Sequence, residues 1–147
     1  MPNETSAWLL KTSDDIQFSI ADHEIAEYVT TPTLLSIPMS PAYCKNIIFW
    51  RNIMVPVVDL NVFSGKTVTT NYQHVMIIAY QVKQNMPLEY IAYFLVAAPV
   101  RISVVDENAC GLPETYPDIL RPYVLSSFSH RDETVGIFDL AKLSSGK

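Results

Sequence analysis

Residues 49–65, FWRNIMVPVVDLNVFSG, are apolar almost throughout, yet an arginine stands near the start and an aspartate interrupts the run. Ile53–Val58 has the Val- and Ile-rich composition of a buried strand. The Arg51-Asn52 pair ahead of it reads as a two-residue hairpin turn, with Asn52 at the positive φ such turns demand. Residues 47–50 then form the partner strand. Asp59 ends the second strand, where its carboxylate is placed to accept backbone N–H groups of the turn through Leu60, Asn61 and Val62. Arg51 reads either as a solvated turn residue or as half of an ion pair. Trp50 fits a core position or an exposed contact equally well, because alternation sends some residues around the turn inward and others outward.

Working outward, the chain repeats this style. Ten prolines punctuate short runs rich in Val, Ile, Tyr and Phe. Proline fixes φ and lacks a ladder donor, so most of these positions read as strand ends and turns. Strands are expected over residues 7–11, 16–20, 24–30, 47–50, 53–59, 75–80, 89–96, 100–105, 124–128 and 134–138. Helical periodicity is weak. One or two turns fit residues 40–46, with Ser40 as N-cap and Pro41 at the first helical position, and another fits residues 118–120. Many short strands with frequent turns indicate an all-β sandwich or small barrels.

One internal echo supports two similar halves. VPVVDLNVFS at 55–64 resembles VGIFDLAKLS at 135–144, an offset of 80 residues. Each is a strand of buried type, then Asp-Leu, then a short amphipathic tail. Asp139 is expected to repeat the role of Asp59.

Composition excludes several functions. A net charge of −5 with no Lys/Arg cluster argues against nucleic acid. The longest apolar run, residues 90–100, is about half of the ~20 residues a membrane helix needs and contains Pro99, so no direct membrane insertion is expected. The first 15 residues carry acidic side chains and no apolar core, unlike a signal peptide, which makes the cytoplasm the expected compartment. Cys44 and Cys110 form no metal-type spacing and read as reduced thiols. His23, His74 and His130 pair with no nucleophile, and four glycines leave no phosphate-cradling loop. The expectation is a protein that is not an enzyme and uses no cofactor or metal.

Residues 40–65, SPAYCKNIIFWRNIMVPVVDLNVFSG, resemble the signature of CheW-like domains, the coupling proteins of bacterial chemosensory arrays. The match lies at Pro41, Ala42, Lys45, Arg51, Val55, Pro56, Asp59 and Leu60. FSIADHEIAEYV resembles the family's upstream segment and places Ile25 and Glu27 on matching positions. ETVGIFDLAKL resembles its last strand and tail. Asn46 and Asn52 replace two family glycines, both at turns, and VAAPVRI replaces a family motif in the diverged middle. The resemblance implies a single CheW-like domain over residues 1–147: two intertwined, five-stranded SH3-like barrels, with the subdomains dividing near residues 65–75. It implies an adaptor that joins the regulatory domain of a CheA-type histidine kinase to a chemoreceptor's cytoplasmic hairpin tip. Twitching motility driven by type IV pili is one setting for such single-domain variants. It further implies an Arg51–Glu27 ion pair shaping a partner-binding surface of Ile25, Glu27, Trp50, Arg51 and Asn52. Two rivals fit the residues: a CheW-like subunit with one binding face lost, and a β-barrel that binds a small ligand between its subdomains, lined by residues 90–105.

Overall fold

The computed structural model describes residues 4–13, 16–65 and 73–145. Eleven strands form, β1 (Glu4–Lys11), β2 (Gln17–Ala21), β3 (Ile25–Thr30), β4 (Leu34–Ser36), β5 (Asn46–Trp50), β6 (Ile53–Val58), β7 (His74–Tyr80), β8 (Glu89–Leu95), β9 (Val100–Val105), β10 (Val124–His130) and β11 (Glu133–Phe138). Two short helices, α1 (Leu60–Phe63) and α2 (Leu140–Ser145), follow β6 and β11. Every strand expected from the sequence is present. The addition is β4, three residues between Pro32 and Pro38, which owes its extended form to pairing with β5 rather than to any pattern of its own.

The strands make two curled sheets, ordered β10-β11-β2-β1-β9 and β3-β7-β8-β6-β5-β4. The second has six strands rather than five because β4 joins it. The chain starts in the five-stranded sheet, builds all of the other, then returns. It changes sheet between Ala21 and Ile25 and again between Leu95 and Val100. The expected division near residues 65–75 is therefore displaced: β7 pairs with β3, and β6 runs parallel to β8, so both sides of that segment belong to one sheet. Residues 66–72 themselves lie outside the described residues.

Burial explains why β7 and β8 show little alternation. Met76 and Ile78 of β7, with Ile91, Tyr93 and Leu95 of β8, enter a core shared with Leu10, Phe18 and Ile20 of the other sheet. Their neighbours Val75, Ile77, Ala92 and Phe94 enter a second core inside the curl of the six-stranded sheet, with Ile48, Trp50, Val55 and Val57. Both faces are dry, so both positions of the pleat are apolar. Residues 92–95 thus fill core, while Ile91, also nearly buried, borders an apolar cavity that Leu143 of α2 closes from the other half. Tyr93 is wholly buried, and its hydroxyl is 3.2 Å from Ser144 Oγ of α2. Burial holds its phenol well above the usual tyrosine range.

The 80-residue echo is structural. Asp59 accepts from the amides of Asn61 (3.0 Å) and Val62 (3.4 Å), capping α1. Asp139 accepts from the Lys142 amide at 3.2 Å. The Asp59 amide donates to the Tyr43 carbonyl at 2.8 Å, and the Asp139 amide to the Tyr123 carbonyl at 2.7 Å. Each aspartate also follows a strand with a parallel neighbour, β8 for β6 and β2 for β11. The expected turn at residues 118–120 is the start of a 3₁₀ helix, Asp118–Tyr123. Residues 40–46 differ from expectation: a single turn closes from the Cys44 amide to the Pro41 carbonyl (3.0 Å), and no helix forms. Ser40 does not cap it, because its hydroxyl donates back to the Ile37 carbonyl at 2.8 Å.

Gly136 of β11 packs under Tyr116. A Cβ there would stand 2.9 Å from the phenol oxygen, closer than van der Waals contact allows. That oxygen is buried with no hydrogen-bond partner among the described residues. Burial pushes its pKa up to about 12, with the Arg121 guanidinium pulling the other way. Gly136→Ala is expected to cost about 1–3 kcal/mol by overpacking. Tyr116→Phe removes only an unpartnered hydroxyl and is expected to be close to neutral. The double substitution is expected to recover most of the loss, and denaturant melts of the three variants check it. A double variant no more stable than Gly136→Ala locates the strain elsewhere.

Candidate functional site

Two hairpins have the same turn. Arg51 and Asn52 have φ of 46° and 63°, and Arg131 and Asp132 have 51° and 65°. Positive φ at both central residues is the type I′ geometry, whose twist suits adjoining antiparallel strands. Asn52 is thus where the sequence placed it, and Arg51 shares the demand. A residue other than Gly, Asn or Asp in this region costs roughly 1–2 kcal/mol, a cost that falls on Arg51 rather than on Asn52. Asn46, expected at a turn with positive φ, instead opens β5 opposite Val57 in ordinary extended backbone.

The Arg51 side chain then makes two contacts. Its guanidinium lies 4.7 Å from the centroid of the Trp50 ring, within the range of cation–π attraction. One nitrogen is 3.7 Å from Glu27 Oε1, with both side chains largely exposed. This is an ion pair through a single contact, too long for a hydrogen bond, and not the two parallel bonds a guanidinium makes at closer range. Glu27 sits at a bulge in β3, where the register to β7 shifts between Ile25 and Glu27.

The pair's position matters more than its strength. β3 and β4 are the two edges of the six-stranded sheet. The sheet curls until β3 faces β4 and β5 across a groove of about 350 Å³ lined by Glu27, Val29, Leu35, Ile48, Phe49 and Trp50, among others. Glu27 and Arg51 reach across that seam.

The five residues singled out in the sequence do not all gather. Glu27, Arg51 and Asn52 are exposed around the turn. Trp50 is only 8% exposed and packs in the inner core against Tyr90, ring centroids 5.1 Å apart. It supports the turn from beneath. Ile25 is half-buried against the other, shared core. The bulge after Ile25 separates it from the face that carries Glu27.

Other residues take the exposed apolar places. Phe49 (61% exposed) and Met54 (64%) stand opposite each other on β5 and β6, with Leu35 (48%) on β4 nearby. Alternation holds the signal: Ile48 and Trp50 point inward, so Ile47 and Phe49 point outward. What the sequence lacked was the knowledge of which set faces in. Among the described residues, no group of three or more His, Cys, Asp or Glu is arranged to hold a metal ion. No helix among them is long and apolar enough to cross a membrane. His74 is engaged locally, its Nδ1 2.5 Å from the Tyr28 hydroxyl.

Two curled sheets threaded by one chain define the class, an all-β domain of two interlinked subdomains, and sequence comparison gives the family. The chain belongs to the CheW-like domain family, whose profile matches residues 8–147. Its fold is similar to that of the scaffolding protein TtCheW from Thermoanaerobacter tengcongensis, with a TM-score of 0.75 and 18% identity over 97% of this chain and 89% of that one. Among curated proteins, none matches in sequence.

The geometry sets the stability of the turn variants. Arg51→Ala leaves the backbone demand unchanged and removes an exposed pair, so it is expected to shift stability by no more than ~1 kcal/mol. Asn52→Gly is expected to be neutral or slightly stabilising, and Asn52→Val clearly destabilising, because a β-branched residue is strained at φ near +60°. Equal denaturation midpoints for Gly and Val at position 52 contradict the turn geometry.

Proposed function

We propose that this chain is a non-enzymatic scaffold of a bacterial chemosensory array, which joins a CheA-type histidine kinase to chemoreceptors by contact alone. Membership of the CheW-like family supports the scaffold role. The observation that carries the finer reading is the outer face of the β4–β5–β6 hairpin. There Leu35, Phe49 and Met54 are exposed beside a charged pair that reaches across the sheet seam. Exposed apolar side chains ringed by polar groups mark interaction surfaces, and an arginine among them is a common energetic anchor. The kinase regulatory domain is assigned to this face.

A second face suits the receptor. Between the sheets, His23, Glu24, Tyr80, Leu88, Leu125 and Ala141 border a groove of about 260 Å³, with Leu88 and Leu125 more than half exposed. An amphipathic helical hairpin tip lays its apolar stripe in such a groove. The protein then works at the cytoplasmic end of the receptors, and a type IV pilus (twitching motility) system is one setting for it.

Titration of the kinase regulatory domain against variants tests the first assignment. Arg51→Ala and Phe49→Ser are each expected to weaken binding by about 2 kcal/mol, roughly thirtyfold, while the fold stays intact. Exchanging the charges, Glu27→Arg with Arg51→Glu, is expected to restore part of the affinity if the pair's own geometry matters. Binding like the parent by both single variants removes the kinase from this face.

A further inference from the structure

The echo puts equivalent residues at one spot in each half: Cys44, Pro56 and Val58 in the first, Val124, Gly136 and Phe138 in the second. In the second half the spot is filled by the chain itself. The Tyr116 phenol oxygen, the nearest Phe138 ring atom and a Val124 methyl lie 2.9, 3.5 and 3.7 Å from the place of a Gly136 Cβ. In the first half the equivalent spot borders an apolar cavity of about 240 Å³, lined by Tyr43, Cys44, Pro56, Val58 and Phe63 and closed from the other half by Leu143 of α2. Because Tyr43 and Tyr123 make the same backbone bond to Asp59 and Asp139, the two spots are equivalent in space as well as in sequence.

The chain explains the difference. The stretch before Tyr123 carries Tyr116 inward over Gly136. The stretch before Tyr43 turns at Met39 (φ 57°) and again between Pro41 and Cys44, and leaves Met39 fully exposed.

We propose that this cavity is a socket for an aromatic side chain of a protein partner, which takes the place that Tyr116 takes in the other half. The size fits, since an apolar cavity of ~150 Å³ admits benzene, while pockets for larger free ligands run ~300–1,000 Å³. The walls fit as well. Tyr43 and Phe63 stand edge to face with centroids 5.0 Å apart, an arrangement that a third ring extends. The socket is continuous with the exposed hairpin face, because Met54, Pro56 and Val58 alternate onto one side of β6. A partner seated on Phe49 and Met54 is therefore positioned to insert an anchor here. The naming of that partner as the kinase regulatory domain rests on the function proposed above; the socket does not.

The test has two arms, both in Cys110→Ser protein so that Cys44 is the one thiol. In the first, 4-methylphenol is titrated and backbone amide signals are followed by NMR. Saturable shifts are expected at Tyr43, Cys44, Leu60 and Phe63, with a dissociation constant on the order of millimolar. They are expected to vanish when Cys44 carries a benzylthio group, installed on the folded protein with benzyl methanethiosulfonate and removable by reductant. No saturable shift, or shifts that survive the plug, overturns the socket. In the second arm the plugged protein is titrated with the kinase regulatory domain. At least tenfold weaker binding, recovered after reduction, supports the aromatic anchor. Unchanged binding, with Arg51→Ala still weakening it, overturns the partner as occupant. If the unplugged protein binds no kinase domain, the coupling function fails, and the socket is judged by 4-methylphenol alone.

Discussion

The structure depends on keeping both faces of β7 and β8 dry. These strands separate two cores, one enclosed by the curl of their own sheet and one shared with the opposite sheet. Neither sheet buries the shared face without the other. Residues from β1, β2 and β11 are as necessary to it as those from β7 and β8. At roughly 25 cal/mol per Å² of apolar surface removed from water, this joint burial is the dominant favourable term, and it makes the two halves one cooperative unit.

That constraint explains why charge appears in an apolar stretch. A sheet curled far enough to enclose a core brings its own edges near each other, and edge strands carry unpaired backbone groups. Placing Arg51 and Glu27 at the seam puts solvated charge where a further strand would otherwise add. The guanidinium also covers the face of Trp50, whose ring is buried with its Nε1 unpartnered among the described residues. The arginine serves surface and support together, at the cost of positive φ in a residue with a Cβ.

Strand positions were legible because proline, Val/Ile runs and the Asp-Leu echo mark them locally. The caps at Asp59 and Asp139 follow from residues within three positions. What was not legible depends on pairing between distant segments. β4 exists because β5 offers it an edge. The sheet assignment of β7 and β8 rests on which strands they meet, not on their own composition. Ile25 and Trp50 looked like neighbours of one surface, but a bulge between Ile25 and Glu27 sends Ile25 to the shared core, and the pleat sends Trp50 inward. Two-sided burial of β7 and β8 erased the period-two signal that would have oriented them. For β5 the signal was present, and only its sign was missing.

The threading of the chain has a consequence for assembly. The six-stranded sheet is built from one uninterrupted stretch, whereas the five-stranded sheet joins the beginning of the chain to its end, with Phe18 beside Gly136. Pairing those strands in an open chain closes a loop over most of its length, and the entropy of closure rises with loop size. Once the continuous sheet exists, its two exits lie at the ends of folded structure, and the remaining closure is far shorter. The low-entropy route is for the inserted half to form first and to template the half that encloses it. Contacts of long sequence separation, which slow folding, are then concentrated in the joining of β1 to β9 and of β2 to β11.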